Sequence, residues 1–160
     1  MKKKVVRITI IIVCIILLIL GLRTAILYFG NYIPHKDCFG DEYKQIIYPT
    51  SISDYITAKE ILKEADKALS TITNNETAKK DFGKLGYLCV TDNEAVKETH
   101  KLNFVAANFS NDSGYIWVKY SSEAYDKDGE VTFGTWDVLS RWELEKTDNK
   151  WVVTSIKEHP

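Results

Sequence analysis

The chain has 160 residues, 45% hydrophobic and 12% aromatic, with three cysteines and a formal charge of −1 at pH 7. That near-neutral balance hides an asymmetry. Lys2, Lys3, Lys4, Arg7 and Arg23 all precede the first acidic residue, Asp37, so from Pro34 onward 16 basic side chains face 22 acidic ones, a net of −6. An acidic body of this kind lacks the electrostatic footprint of a nucleic-acid binder, and roughly 125 residues suffice for one domain with a real core but not two.

The first element is an apolar run from Ile8 to Leu22 behind the four leading basic residues. A helix rises about 1.5 Å per residue, so a hydrocarbon core of roughly 30 Å needs about 20 residues. Continuing through Ala25 to Phe29 supplies that length, provided Arg23 lays its stem along the lipid and reaches the headgroups. Residues 1–29 therefore read as a basic cytoplasmic tail with a single-pass membrane anchor over residues 8–29. The positive-inside rule keeps the N-terminus cytoplasmic, and Tyr28 and Tyr32 suit the outer interface. A cleaved secretory signal is the rival reading, and an internal buried helix a third. Around the exit only Thr24 and Ala25 are small enough for a cleavage site, and Cys14 behind Val13 does not suit a lipoprotein. Anchor and signal both place the rest of the chain outside the cytoplasm of a cell whose lysine- and isoleucine-rich style is bacterial.

Residues 30–52 read as a stalk, and 53–160 as the extracytoplasmic domain. Cys38 and Cys89 are the exported cysteines, and an oxidising compartment would allow a disulfide between them, two free thiols being the alternative. Thr57 with Glu60 predicts a capping box, with Ile56 and Ile61 as its hydrophobic staple. Ile61, Leu62, Ala65, Leu69 and Ile72 then recur at helical spacing until Asn74-Asn75. Short helical pieces are expected near 76–82 and 93–100. From Leu102 onward, aromatic and β-branched residues predict strands over 102–109, 115–125, 131–146 and 151–157. Lys127-Asp128-Gly129 and Thr147-Asp148-Asn149 each predict a three-residue hairpin loop whose last residue takes a positive φ.

Pairing through those loops puts Tyr120 opposite Trp136, Val118 opposite Val138 and Leu144 opposite Val152. Ile116, Trp142 and Ile156 share that face, the expected core under the helix. The other face carries Lys119 across from Asp137, with Arg141, Glu143, Ser155 and Lys157. It also carries Tyr115, Trp117, Leu139 and Trp151, a large aromatic surface for a wet sheet. Such a patch would mark a protein contact, unless a one-residue slip turns it into core. The fold class that follows is α+β: a transmembrane helix, then a cone-like domain with a long helix packed on a four-stranded antiparallel sheet.

This order of elements resembles the NTF2-like (cystatin-like) superfamily. The resemblance spans about residues 54–158 and is carried by the helix from Thr57, the hairpin at Asp128-Gly129 and the closing Asn149-Lys150-Trp151-Val152-Val153 strand. Anchor plus domain is also similar to assembly proteins of bacterial conjugation and type IV secretion machines. The resemblance implies a binding or assembly module acting through protein contacts or self-association, or alternatively a ligand-binding or enzymatic cone. Enzymes of the superfamily use a carboxylate or a His–Asp pair inside the cone, for which His100, Asp137, Glu123 and Glu143 are the candidates. His100 and Asp137 are the cavity candidates under that alternative. No catalytic set, metal-ligand spacing, phosphate loop or cofactor motif accompanies them. An accessory or immunity-type role acting through the membrane helix is a further reading.

Overall fold

The structure, a computed structural model, describes residues 2–30 and 50–158, with the side chains of 6–22 alone in the first segment. Helix α1 runs over Lys2–Gly30, 29 residues, and every described side chain on it is exposed. Among the described residues no helix is both long and apolar enough to cross a membrane; the described apolar stretch stops at Leu22, short of the roughly 20 residues a span requires. The side chains of Arg23 and Tyr28, the residues 31–49 of the expected stalk, Tyr32 and Cys38 lie outside the described residues.

Helix α2 covers Ile52–Leu69. Its N-cap is Ser51, whose hydroxyl accepts the Asp54 N–H at 3.0 Å, so the helix starts a turn and a half before the expected Thr57. Ser51 satisfies an otherwise orphaned donor and Asp54 complements the dipole, together worth about 1–2 kcal/mol. Ile56, expected as a staple, is exposed instead. Ala58, Ile61, Leu62, Ala65, Ala68 and Leu69 form the buried stripe. The helix ends at Leu69, and Asn74 starts the next one, accepting the Thr77 N–H at 2.9 Å. Helix α3, Asn75–Phe82, stops at Gly83, whose φ of 58° only glycine adopts easily. A 3-10 helix, η1, follows over Gly83–Leu88. Gly86 is obligatory there, because a Cβ would stand 2.3 Å from the Ala78 carbonyl oxygen. Residues 93–100 are not helical, and His100 belongs to a strand.

Four strands follow, β1 (Lys97–Ser110), β2 (Ser113–Tyr125), β3 (Val131–Thr147) and β4 (Lys150–Glu158), paired in sequence order as one antiparallel sheet. The β2–β3 loop closes as expected. Asp126 N–H bonds the Glu130 carbonyl at 3.0 Å, Asp126 Oδ1 accepts two backbone N–H groups, and Gly129 has φ 85°. Away from that turn the register departs from expectation. Extra residues in β3 bulge between Val131 and Phe133, and again between Thr135 and Val138. Beyond both, Tyr120 faces Val138 and Val118 faces Ser140. Asp137 takes the left-handed φ of 53° at the second bulge, its N–H donated to Ser121 Oγ at 2.9 Å. Trp136, expected inward, is therefore turned outward and is 61% exposed.

The β3–β4 loop has two residues, not three. Asp148 and Asn149 both hold positive φ, 48° and 66°, and Thr147 pairs with Lys150. That one-residue shift reverses the facing of the strand. Val153 rather than Val152 enters the core, opposite Leu144, and Trp151 turns to the helix side. A bulge between Val153 and Ser155 restores the parity, so Trp142 and Ile156 share the core face as expected, here as direct partners. The principal core lies between α2, η1 and this face of the sheet, with Ile116, Val118, Trp142 and Leu144 fully buried. Trp142 donates its Nε1–H to the buried Ser140 Oγ at 2.8 Å, so neither polar group is orphaned. The architecture is thus α+β with a four-stranded antiparallel meander.

Candidate functional site

The aromatic group expected on the outer sheet face is divided. Tyr115, Trp117 and Leu139 do gather there with Val105 and Ala106, but Trp117 is only 1% exposed. The bulge between Phe104 and Ala106 sets Val105 and Ala106 beside it. The Arg141 guanidinium lies 4.1 Å from the Tyr115 ring centre and 5.5 Å from that of Trp117, and Glu143 accepts from Arg141 Nε at 2.7 Å. The rings are thus roofed by a charged pair of the same domain. Trp151 is on the opposite face, its ring centre 4.7 Å from that of Phe109 at a tilt of 49°, beside the main core. It cannot share a contact surface with Trp117.

His100 lies in β1, clasped between two carboxylates. Its Nε2 is 2.8 Å from Asp66 Oδ1 of α2 and its Nδ1 is 2.9 Å from Glu98 Oε2. Ionised carboxylates only accept, so it is the protonated ring that satisfies both contacts, donating from each nitrogen. Burial works against that charge, but the hydrogen bonds and charges of Asp66 and Glu98 outweigh it and raise the His100 pKa above its usual value. With both nitrogens engaged, no position remains to take a substrate proton. The two carboxylates sit on opposite ring nitrogens, so they do not converge on a common metal position either. His100 ties helix to sheet rather than lining a cavity.

Asp137 is exposed on the outer face, 3.3 Å from Lys119 Nζ, a surface pair worth under about 1 kcal/mol. Glu123 accepts from the Tyr125 hydroxyl and, at 2.6 Å, from Trp136 Nε1. The Tyr125 bond first, then the Trp136 bond, lowers its pKa and keeps it ionised. Cys89 is a buried free thiol whose pKa is raised by burial and then by Asp81, the opposite of a reactive cysteine. Its candidate partner Cys38 lies outside the described residues.

The polar groups that do converge are ones the sequence reading passed over. A cleft of about 480 Å³ opens where α3 and η1 meet the sheet, lined among others by Tyr87, Cys89, Tyr120, Ser122, Thr135 and Glu158. Strand β2 points Ile116, Val118, Tyr120, Ser122 and Ala124 inward. Ile116 and Val118 pack in the core, whereas Tyr120 and Ser122 line the cleft. The first bulge of β3 brings Thr135 opposite Ser122. Tyr120 donates its hydroxyl to Glu158 Oε1 at 2.8 Å. Burial, then the Glu158 charge, drives the Tyr120 pKa far above the phenol range, and Tyr87 at the rim is raised chiefly by the same charge. Ser122 is 3% exposed, and among the described residues its Oγ has no hydrogen-bond partner. The one sequence signal was parity: Ser122 is a polar side chain at an inward position. Among the described residues no histidine lines the cleft.

No protein-family model matches the chain, and no curated protein does. Two solved structures are similar in outline. One is the Kfla4162 protein from Kribbella flavida, 14% identical at a TM-score of 0.45, covering 67% of this chain and 90% of that one. The other is the association domain of C. elegans CaMKII, 11% identical at a TM-score of 0.39, covering 69% of this chain and all of that one.

Proposed function

We propose that this chain is a membrane-anchored binding module whose extracytoplasmic, NTF2-like domain takes a small polar ligand in the cleft between Tyr87, Tyr120, Ser122 and Glu158. The observation that carries this reading is the Ser122 hydroxyl, buried in the cleft wall without a partner among the described residues. A buried unsatisfied hydroxyl costs about 1–3 kcal/mol, and a ligand group bonded to it would recover that. The cleft volume, about 480 Å³, falls in the range of small-molecule sites. The test is amide NMR of the full chain in detergent micelles, titrated with a mixed small-molecule library. Saturable shifts should centre on Tyr87, Tyr120, Ser122 and Glu158 and vanish in Ser122→Leu, whose side chain fills the cleft. Shifts confined to the outer sheet face would sink the reading.

A second reading, protein contact or self-association through the outer face, draws support from Trp136. Its exposed ring lies over Gly134, where a Cβ would stand 2.3 Å from it, and its indole N–H is fixed on Glu123. Rigid exposed tryptophans are common contact anchors. Under this reading Trp136→Ala shifts the sedimentation of the micelle-borne chain toward smaller species, while Trp117→Ala mainly destabilises the fold. An unchanged sedimentation profile in Trp136→Ala would remove self-association.

A further inference from the structure

The charges and rings of the cleft narrow its ligand. Two carboxylates line it, Glu158 and Asp92, and among the described residues no lysine, arginine or histidine does. Asp92 accepts the Glu94 N–H at 2.9 Å. That bond, and then one from Thr132, holds its pKa below the usual carboxylate range and keeps it charged. Glu158 accepts from the Tyr120 hydroxyl and is also bonded by Tyr87, and an ionised carboxylate has about four acceptor sites. Three aromatic rings, Tyr87, Tyr120 and Phe133, stand around these anions, with the unpartnered Ser122 hydroxyl at the inner wall. Lys79 and Lys84 line a separate groove that shares only Asn75 and Tyr87 with the cleft.

Anionic carboxylates beside aromatic faces are the chemistry that holds an organic cation: Coulomb attraction and N–H donation to the carboxylate, ring quadrupoles against the rest of the charge. An anionic ligand would meet two like charges and no counter-charge, which low-dielectric walls amplify. The net −6 of the chain from Pro34 onward acts in the same direction at long range. We infer that the ligand is a small organic ammonium compound, its cationic head at Glu158 and Tyr87 and a hydroxyl or carbonyl reaching Ser122. This rests on the cleft reading of the preceding section.

The probes are benzylamine and choline, with benzyl alcohol and benzoate as neutral and anionic counterparts of the first. They are titrated into the full chain in neutral detergent micelles and followed by amide NMR. Benzylamine and choline should shift the Tyr87, Ser122 and Glu158 signals, and Glu158→Gln should weaken both by at least about tenfold, since the charge is lost while an acceptor for Tyr120 remains. Phe133→Leu should weaken choline with an unchanged melting temperature. Benzyl alcohol binding within about twofold of benzylamine, stronger binding of benzoate, or an unchanged affinity in Glu158→Gln would overturn the cation assignment and leave the cleft as a neutral or anion site. No cleft shift with any of the four probes would overturn the cleft itself as a site for ligands of this size, and the cation assignment with it.

Discussion

His100 illustrates how one side chain can be both conspicuous in a sequence and unavailable for chemistry. Its ring joins Asp66 of α2 to β1 through two charge-assisted bonds. Because its folded pKa is raised, the stability it contributes is fully present below the unfolded value near 6.5 and is lost as pH climbs through the folded value. His100→Gln should therefore cost about 1–3 kcal/mol at about pH 6 and distinctly less at about pH 9, read from urea unfolding at both. An equal loss at both would show the ring acting by packing alone. Ser122 predicts the reverse pattern. With no partner for its hydroxyl, Ser122→Ala should leave the ligand-free protein as stable or raise it by up to about 1 kcal/mol, while weakening ligand binding. A loss of more than about 1 kcal/mol in thermal unfolding would mean the hydroxyl is bonded after all. The sequence marked His100 because histidine is rare and reactive, and passed over Ser122 because serine is common. Burial and partners separate the two, and neither is written in the residue type.

At the scale of the elements, turn chemistry was legible and bulges were not. Gly129 at φ 85° and the Asp126 cap carry out what Lys127-Asp128-Gly129 led one to expect. The β3–β4 turn differs by one residue because Asp148, as well as Asn149, accepts a left-handed conformation. That difference can be measured. Asp148→Gly should stabilise the domain by roughly 0.5 kcal/mol, since relief of about 1 kcal/mol of backbone strain exceeds the glycine entropy cost. In a three-residue loop, where this position has negative φ, the same change would destabilise. Asn149→Val should cost about 1–2 kcal/mol in either case. The bulges in β1, β3 and β4 carry no comparable signal. The second one in β3 is held by a contact remote in sequence, Ser121 Oγ on the Asp137 N–H. Each bulge reverses which face the following residues occupy. Hence the inward series of β2 was read correctly, while Trp136, Trp151 and Val152 were placed on the wrong sides.

For the molecule as a whole, the proposed anchor and the folded domain would follow different solvents. From Ile10 to Leu22 the described α1 side chains, Leu17 and Leu18 among them, are exposed and carry no charge. The proposed anchor predicts that the protein stays in the membrane pellet after alkaline carbonate extraction. Its N-terminus should be intact by mass spectrometry, and protease added to spheroplasts should remove the domain. A mature chain beginning near Ala25 would establish a cleaved signal instead.

The sequence by itself determined the order of α2, α3 and the four strands, most strand bounds, the β2–β3 turn and the acidity of the domain, because local propensity, periodicity and charge are properties of neighbouring residues. Tertiary structure decided which polar groups meet. Tyr87 comes from η1, Tyr120 and Ser122 from one strand, Glu158 from the end of another. Their convergence depends on strand register, and each bulge shifts that register by one residue, enough to exchange the two faces of a sheet whose side chains alternate with period two.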